Sequence, residues 1–201
     1  MYDWRKLTPE IRRRIMVNRR IKRLPMHSPP HENRGFRDYH NSAACYEHRH
    51  YIGHSPDRMA SFEADLLAVF EKQSDFVHAW CVLPNHYHAL IRSADVEATL
   101  SQLGELHGRS SFNWNGEENT RGRKVWYNAV DRAIRSERHF WATLNYVHHQ
   151  PVHHGYTAKW QEWPYSSAAD YLRRVGETRA REIWKEYPLD DYGKGWDDGE
   201  M

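Results

Sequence analysis

The chain has 201 residues and a mass of 24.1 kDa; 39% of its residues are hydrophobic, 28% are charged, and its net charge is +2. These values are typical of a globular domain with polar extensions, and two cysteines are too few for a disulfide-rich secreted scaffold. No stretch approaches the roughly 18 consecutive apolar residues of a membrane helix, and the first 25 residues lack the apolar core of a secretory signal, so we expect a cytoplasmic protein.

Charge is distributed unevenly along the chain. Residues 1–37 hold 11 Lys or Arg against 3 Asp or Glu, whereas residues 177–201 hold 4 against 8. A basic segment on a near-neutral body is typical of a protein that binds a polyanion, because each cation placed at a phosphate releases a counterion. A solvated basic helix that contacts the surface of the domain would have the same charge. We therefore divide the chain into a basic N-terminal arm (1–35), a central domain (36–175) and an acidic, aromatic-rich C-terminal tail (176–201).

The hydrophobic pattern of the central domain predicts seven elements in the order β-α-β-β-α-β-α. Strands are predicted at 38–51, 76–83, 86–92 and 124–130, and helices at 56–73, after Asp95 and at 136–150. Ser55, Asp95 and Ser136 are expected to cap the three helices, and Pro151 to end the last one. A polar loop is predicted at 113–122. The first six elements match an α+β, ferredoxin-like sheet of four antiparallel strands, to which the last helix is an addition.

Two histidines stand two residues apart on the third predicted strand. Because side chains alternate across a strand, His86 and His88 are expected on one face and Tyr87 on the other. Two imidazoles so placed can converge on one metal ion, although such a pair also occurs on ordinary polar sheet faces.

The last predicted helix carries two different faces. Phe140, Leu144 and Val147 form an apolar stripe, and a polar face includes Tyr146 and Gln150 one turn apart. Taken alone, this pair equally fits an ordinary surface tyrosine and a glutamine near the end of the helix. His86, His88 and Gln150 would supply two neutral nitrogens and one neutral oxygen, which suits a divalent cation that must also approach an anionic phosphate.

Three segments resemble the REP-associated tyrosine transposases, relatives of the single-tyrosine HUH (His-hydrophobic-His) transposases of insertion sequences. The sequence PNHYH at 84–88 resembles the HUH motif, residues 146–155 resemble the Tyr-x-x-x-Asn-Pro-Val-x-x-Gly block, and residues 163–167 resemble the next block. The resemblance covers roughly residues 36–172. Gln150 stands where these proteins usually have Asn, and the insertion-sequence relatives place a metal-binding Gln four residues after the Tyr.

The resemblance implies a metal-dependent endonuclease and strand transferase that acts on single-stranded DNA beside hairpins such as repetitive extragenic palindromes. His86, His88 and Gln150 would bind Mg²⁺ or Mn²⁺, and Tyr146 would attack phosphorus to form a 5′-phosphotyrosine and release a 3′-hydroxyl. Relatives occur as monomers and as homodimers, and we expect one of these two states and no membrane association. The place of action would be the nucleoid.

A free phenol has a pKa of about 10, so the nucleophile needs assistance. The charge of the metal can assist, or a nearby imidazole can take the proton, for which His149 and His139 are the candidates. The remaining histidines of this region are expected on the polar surface or in contact with DNA: His148, His153 and His154.

Contacts with DNA phosphates are predicted in the arm and around the fourth strand and last helix. The residues are Arg12, Arg13, Arg19, Arg20, Arg121, Arg123, Lys124, Arg132, Arg135 and Arg138. No base-reading residue is assigned.

Two other classes of function compete with this one. The first is a DNA-binding module of the same fold without chemistry, although a pure binder has no need of the complete His, His, Tyr and Gln set. The second is a mononuclear zinc hydrolase built on the histidine clusters; such sites generally use three strong protein ligands, and no HExxH-like helix is present in the sequence.

Overall fold

The computed structural model describes residues 37–193, together with residues 8–10, 13, 14 and 17. Most of the predicted basic arm therefore lies outside the described residues, as does the acidic tail from residue 194 onward. Within the arm, residues 9, 10, 13, 14 and 17 are helical.

From residue 37 onward, strands and helices alternate much as the hydrophobic pattern predicts. The elements are β1 (Arg37–Ala44), α1 (Pro56–Gln73), β2 (Phe76–Val82), β3 (His86–Ser93), α2 (Val96–Glu117), β4 (Val130–Ala133), α3 (Glu137–His153), α4 (Ala168–Val175) and α5 (Glu177–Glu186). Single 3₁₀ turns lie at Tyr46–His48, Ile52–His54 and Trp160–Glu162.

The four strands form one antiparallel sheet in the order β2-β3-β1-β4. This is the strand order of a ferredoxin-like sheet, so the predicted α+β fold class is confirmed. The central strands β1 and β3 pair along their whole length, with Ser42 opposite His88 and Ala44 opposite His86.

Each face of the sheet is covered by its own hydrophobic core. On one face α1 and α2 bury Phe62, Leu66 and Leu103 against Tyr87 of β3. On the other face α3 packs Leu144 and Val147 against β2 and β3, and the core extends into α4 and α5. The second core fixes α3 across the sheet, and α3 is the helix that carries the predicted nucleophile.

The three predicted helix caps are all present. Ser55 Oγ accepts a hydrogen bond from the Arg58 N–H, Asp95 Oδ1 from the Ala98 N–H, and Ser136 Oγ from the His139 N–H. Each bond satisfies one of the amide groups that a helix leaves unpaired at its first turn.

The predicted first and fourth strands need correction. The first ends at Ala44 instead of residue 51, because Glu47 and His48 adopt left-handed backbone angles that no strand accommodates. The fourth covers Val130–Ala133 instead of 124–130; Trp126 makes only an isolated bridge to Cys45, and its indole is buried in the core of α1 and α2.

Two predicted helix ends are also wrong. Helix α2 continues through much of the polar stretch predicted as a loop and ends at Glu117, where Glu117 and Glu118 both pair with the buried Arg58. Helix α3 does not stop at Pro151 but continues to His153; the proline lies in the last turn of the helix, and the His154 N–H donates to the Gln150 carbonyl.

Among the described residues, no helix combines the length and the apolar content needed to cross a membrane.

Two buried histidines are expected to make the stability of the fold depend on pH. Burial lowers the pKa of His107 and of His148 to about 3, whereas histidine in an unfolded chain titrates near 6.5. Between these values the unfolded chain binds more protons, so stability is complete above about pH 6.5 and is lost as the pH falls toward 3. At pH 5 each histidine should lower the free energy of unfolding by about 2 kcal/mol.

Urea unfolding of the parent chain and of His107→Phe at pH 7.5 and pH 5 tests this expectation. The difference between the two pH values should shrink by about 2 kcal/mol in His107→Phe, because one acid-linked group is gone. His107→Phe also loses the contact between His107 Nε2 and the Tyr87 hydroxyl. This loss lowers the free energy of unfolding at both pH values, so it cancels when the two values of one variant are subtracted. An unchanged difference would show that His107 does not carry the pH dependence.

Candidate active site

The two histidines of β3 lie on the sheet face that α3 covers. His86 and His88 are both buried, and their ring centroids are 5.1 Å apart. Tyr87 points to the opposite face, where its ring packs against Phe62 and Trp126. The alternation expected from the sequence is therefore confirmed.

Helix α3 brings the predicted tyrosine and glutamine onto these histidines. Gln150 Oε1 lies 3.4 Å from His86 Nε2, and the Tyr146 ring centroid lies 5.2 Å from that of His88. Both α3 residues are buried, because the apolar stripe of Leu144 and Val147 holds this part of the helix down on the sheet. Residues 64 and 58 positions apart in the sequence thus meet in one cluster.

His40 of β1 also belongs to this cluster, and no motif in the sequence predicts its place there. Its Nε2 atom lies 3.1 Å from His88 Nδ1, and its ring centroid is 5.8 Å from that of Tyr146. His40 pairs with Leu90 in the ladder, two residues along from His88, and therefore faces the same way as His88. Strand alternation could have placed His40 on one face of β1, but only the register with β3 places it beside His88.

The donor set fits a divalent cation. His86 Nε2 and Gln150 Oε1 are 3.4 Å apart, close to the separation of about 3 Å between neighbouring ligands of an octahedral ion with bonds of roughly 2.1 Å. Within the described part of the chain, no three His, Cys, Asp or Glu side chains are placed to bind a metal together. The set of His86, His88 and Gln150 is of a different kind, because its third ligand is the amide of a glutamine.

The two proposed proton acceptors occupy different positions on α3. His149 packs its ring against Trp184 of α5, and His139 packs against Tyr192 while its Nδ1 accepts a hydrogen bond from the Arg135 N–H. Burial lowers the pKa of both imidazoles. The imidazole rings that contact Tyr146 are those of His40 and His88, whereas no ring contact joins His139 or His149 to it in the described residues.

The expectation that His148 and His154 lie on the polar surface is wrong for His148. His148 is buried, and its Nε2 lies 2.9 Å from Ser167 Oγ, which ties α3 to the start of α4. His154 is partly buried with its ring centroid 4.9 Å from that of His86, so it borders the site. His153 is exposed, as expected.

Two residues of the acidic tail, Tyr192 and Gly193, cover the tyrosine. The Tyr192 ring packs edge-on against Tyr146 at 5.5 Å, and its hydroxyl is 2.5 Å from Thr143 Oγ1. Gly193 approaches so closely that a Cβ atom there would overlap the Tyr146 ring. Only 4% of the Tyr146 surface is exposed as a result of this packing and of the sheet beneath it.

Of the residues predicted to contact DNA phosphates, one bonds to other side chains of the protein and others are exposed. Arg123 bonds to Glu118 and Asn115 and stacks on Tyr51; the bond from Arg123 lowers the pKa of Glu118 to about 2. Exposed cations are Arg13, Arg121, Lys124, Arg132, Arg135 and Arg138. Arg12, Arg19 and Arg20 lie outside the described residues.

One of the predicted phosphate contacts, Arg132, lies close enough to the tyrosine to interact with it electrostatically. It lies opposite His40 in the pairing of β1 with β4 and therefore shares the face of the histidine cluster. Neighbouring protein atoms desolvate the Arg132 guanidinium and lower its pKa. The interactions with Tyr192 and Tyr146 raise this pKa, but by a smaller amount. Besides being a candidate DNA contact, Arg132 therefore places a positive charge close to Tyr146.

No protein-family model and no curated protein matches the sequence. Among solved structures, the fold is similar to that of a REP-associated tyrosine transposase bound to a REP hairpin, with a TM-score of 0.57 and 16% sequence identity. The similarity covers 82% of this chain and 90% of that chain. At this identity the similarity establishes a common fold.

Proposed function

We propose that this protein is a metal-dependent endonuclease and strand transferase for single-stranded DNA, with Tyr146 as its nucleophile. The observation that carries the proposal is the meeting of α3 with β3 and β1. That meeting sets the Tyr146 ring against His88 while Gln150 Oε1 faces His86 Nε2.

The neutral donor set supports a role for Mg²⁺ or Mn²⁺. His86, His88 and Gln150 would hold the ion, which when bound would withdraw charge from a non-bridging oxygen of the scissile phosphate. Because these three ligands contribute no negative charge, the phosphate is not repelled by the site that must receive it. Burial of all three side chains keeps their orientation fixed and restricts the access of water.

Tyr146 would form a bond from its phenolic oxygen to phosphorus while the bond from phosphorus to the 3′-oxygen breaks. The phenolic proton is lost and the departing 3′-oxygen gains one, so the products are a 5′-phosphotyrosine and a 3′-hydroxyl and no further reactant is needed. A 3′-hydroxyl can later reverse the step and join new ends. The Arg132 guanidinium, on the same sheet face, would favour the phenolate and the negative charge that develops on the phosphate.

A DNA strand beside a hairpin is the substrate that the similarities favour. The solved structure with the same fold is bound to a REP hairpin. In this chain, exposed cations occur near β4 and the start of α3, at Arg132, Arg135 and Arg138. These charges can hold the phosphates of a strand that enters the site from this edge of the sheet.

Incubation of the full chain with a labelled hairpin oligonucleotide and Mn²⁺ tests the proposal. We expect a protein–DNA adduct that survives SDS, and no adduct in EDTA. Binding of the oligonucleotide without any adduct would indicate a binding module of the same fold.

The tail contact leads to a prediction about access to the nucleophile. Gly193→Ala should displace the tail from Tyr146, because the new methyl group would overlap the ring, and adduct formation should become several-fold faster. The initial rate with excess oligonucleotide measures the effect.

Gly176→Ala is the matched control. Gly176 has a φ angle of +79°, close to the +81° of Gly193, but no atom lies within 4 Å of its added Cβ. It therefore reproduces the backbone strain without the overlap, and its rate should equal that of the parent chain. Equal rates for both variants would mean that the tail does not restrict access.

A further inference from the structure

We propose that Asn85 is a positioning residue that determines which nitrogen of His86 faces the cation site; this inference rests on the function proposed above. Asn85 immediately precedes the histidine pair, at the turn between β2 and β3. It contributes no ligand itself and acts through the proton on the His86 ring.

The hydrogen bonds of Asn85 leave a single assignment of its amide. Its Nδ2 group donates to the His48 carbonyl oxygen at 3.1 Å. Because a carbonyl oxygen can only accept, the amide nitrogen must be on that side, and the amide oxygen is turned toward His86. Asn85 Oδ1 lies 2.7 Å from His86 Nδ1. Gln150 Oε1, on the other side of the ring, can also only accept, but its contact with His86 Nε2 is 3.4 Å long, so the shorter contact with Asn85 takes the single proton of the neutral ring and places it on Nδ1.

This tautomer leaves a lone pair on the ring atom that faces the site. His86 Nε2 is the atom 3.4 Å from Gln150 Oε1, and with the proton on Nδ1 it can bind a cation without first losing a proton. Neutral imidazole in water favours the other tautomer, in which a proton on Nε2 would block the ligand position. Metal-binding histidines commonly have their second nitrogen held by such an acceptor.

The backbone around Asn85 holds it in place. Its own carbonyl accepts a hydrogen bond from the Cys45 N–H at 2.7 Å, and the carbonyl of Pro84 accepts one from the Gly53 N–H at 2.9 Å. Gly53 packs so tightly on Pro84 that a Cβ atom there would overlap the proline ring. The turn that carries Asn85 is thus clamped to the segment after β1.

The acceptor for Asn85 comes from a strained turn in that same segment. Glu47 and His48 have φ angles of 55° and 51°, a conformation that costs non-glycine residues energy. This conformation directs the His48 carbonyl at the Asn85 amide. The strained turn, the amide and the imidazole therefore form one connected chain of contacts that ends at the candidate ligand atom.

The contact of His88 with His40 does not permit the same deduction. Both partners there are ring nitrogens, and either could carry the proton.

Nuclear magnetic resonance of the metal-free, DNA-free protein tests the inference directly. Long-range nitrogen–proton correlations of ¹⁵N-labelled protein at pH 8 distinguish the two tautomers of each histidine. We expect His86 to carry its proton on Nδ1 in the parent chain and predominantly on Nε2 in Asn85→Ala. Asn85→Asp retains an acceptor oxygen and should retain the Nδ1 proton. Asn113→Ala, at an exposed position of α2, is the matched control and should leave His86 unchanged.

Calorimetric titration with Mn²⁺ gives the second readout. Loss of the acceptor should weaken Mn²⁺ binding by about 10- to 100-fold in Asn85→Ala and by much less in Asn85→Asp, whereas a merely structural role would not separate these two variants. A His86 ring with its proton on Nε2 in the parent chain, or an unchanged tautomer in Asn85→Ala, would overturn the inference. Failure of the proposed function would be recognised separately, as a parent chain with the expected tautomer that forms no adduct with DNA.

Discussion

Tyr146→Phe is expected to abolish the covalent attachment of the protein to hairpin-bearing single-stranded DNA. Phenylalanine keeps the ring that packs against His88, His40 and Tyr192 but lacks the oxygen that would bond to phosphorus. The loss of a nucleophile should reduce adduct formation by more than about 1,000-fold. Denaturing gels of the Mn²⁺ reaction measure the adduct, and the affinity for DNA, measured by fluorescence anisotropy, should remain within about twofold.

Tyr156→Phe is the matched control for this prediction. Tyr156 is a partly buried tyrosine just after α3, and its ring lies near His154 and Trp163 instead of His88. Its hydroxyl makes only a long contact of 3.4 Å with His50. Tyr156→Phe should form the adduct at the parental rate. An undiminished adduct in Tyr146→Phe would show that another group attacks the phosphate.

His86→Ala is expected to remove metal binding and activity together. The imidazole that faces Gln150 is lost, so Mn²⁺ affinity should fall by at least about 100-fold, more than the loss typical of residues that only support a ligand. Calorimetry with Mn²⁺ measures the affinity, and the gel assay measures the adduct. Since His86 is buried, thermal unfolding of the variant shows whether the fold is retained, and His86→Gln serves as a second variant that fills more of the space.

His54→Ala provides the comparison for the metal experiment. His54 is exposed and lies just before α1, outside the histidine cluster. It should bind Mn²⁺ and form the adduct as the parent chain does. Turnover of the parent chain that persists in EDTA would contradict a role for the metal, whatever the affinity of His86→Ala.

The parts of the fold that follow from local pattern could be predicted from the sequence. Alternation along β3 is enough to separate His86 and His88 from Tyr87, and the spacing of Leu144 and Val147 is enough to define the buried side of α3. Ser55, Asp95 and Ser136 act within one helical turn, so their capping roles do not depend on the remainder of the fold. The antiparallel sheet then follows from the order of the elements.

The parts that depend on contacts between distant segments could not be predicted. Trp126 and its neighbours alternate as a strand does, but the indole is required in the core of α1 and α2, and the continuous ladder with β1 begins at Val130 after the single bridge at Trp126. His40 enters the cluster through the register of β1 with β3, which no local pattern specifies. The closure of the site by Tyr192 and Gly193 is likewise a contact between segments about 46 residues apart in the chain.

The role of Asn85 could be predicted only in part from the sequence. Its place in the motif is visible in the sequence, and the amide could have been assigned to turn formation, a common role for asparagine. Its bond to His86 depends on where the His48 carbonyl points, and that direction is set by two residues with left-handed backbone angles. Neither residue is a glycine, so composition gives no sign of the turn.

Mass spectrometry of the protein–DNA adduct tests most directly whether Tyr146 is the nucleophile. After nuclease treatment and digestion with trypsin, the fragment from residue 139 to residue 159 contains both Tyr146 and Tyr156. We expect a nucleotide joined through its 5′-phosphate to Tyr146. A nucleotide on Tyr156 or on another peptide, or DNA that is bound without any covalent nucleotide, would contradict the assignment.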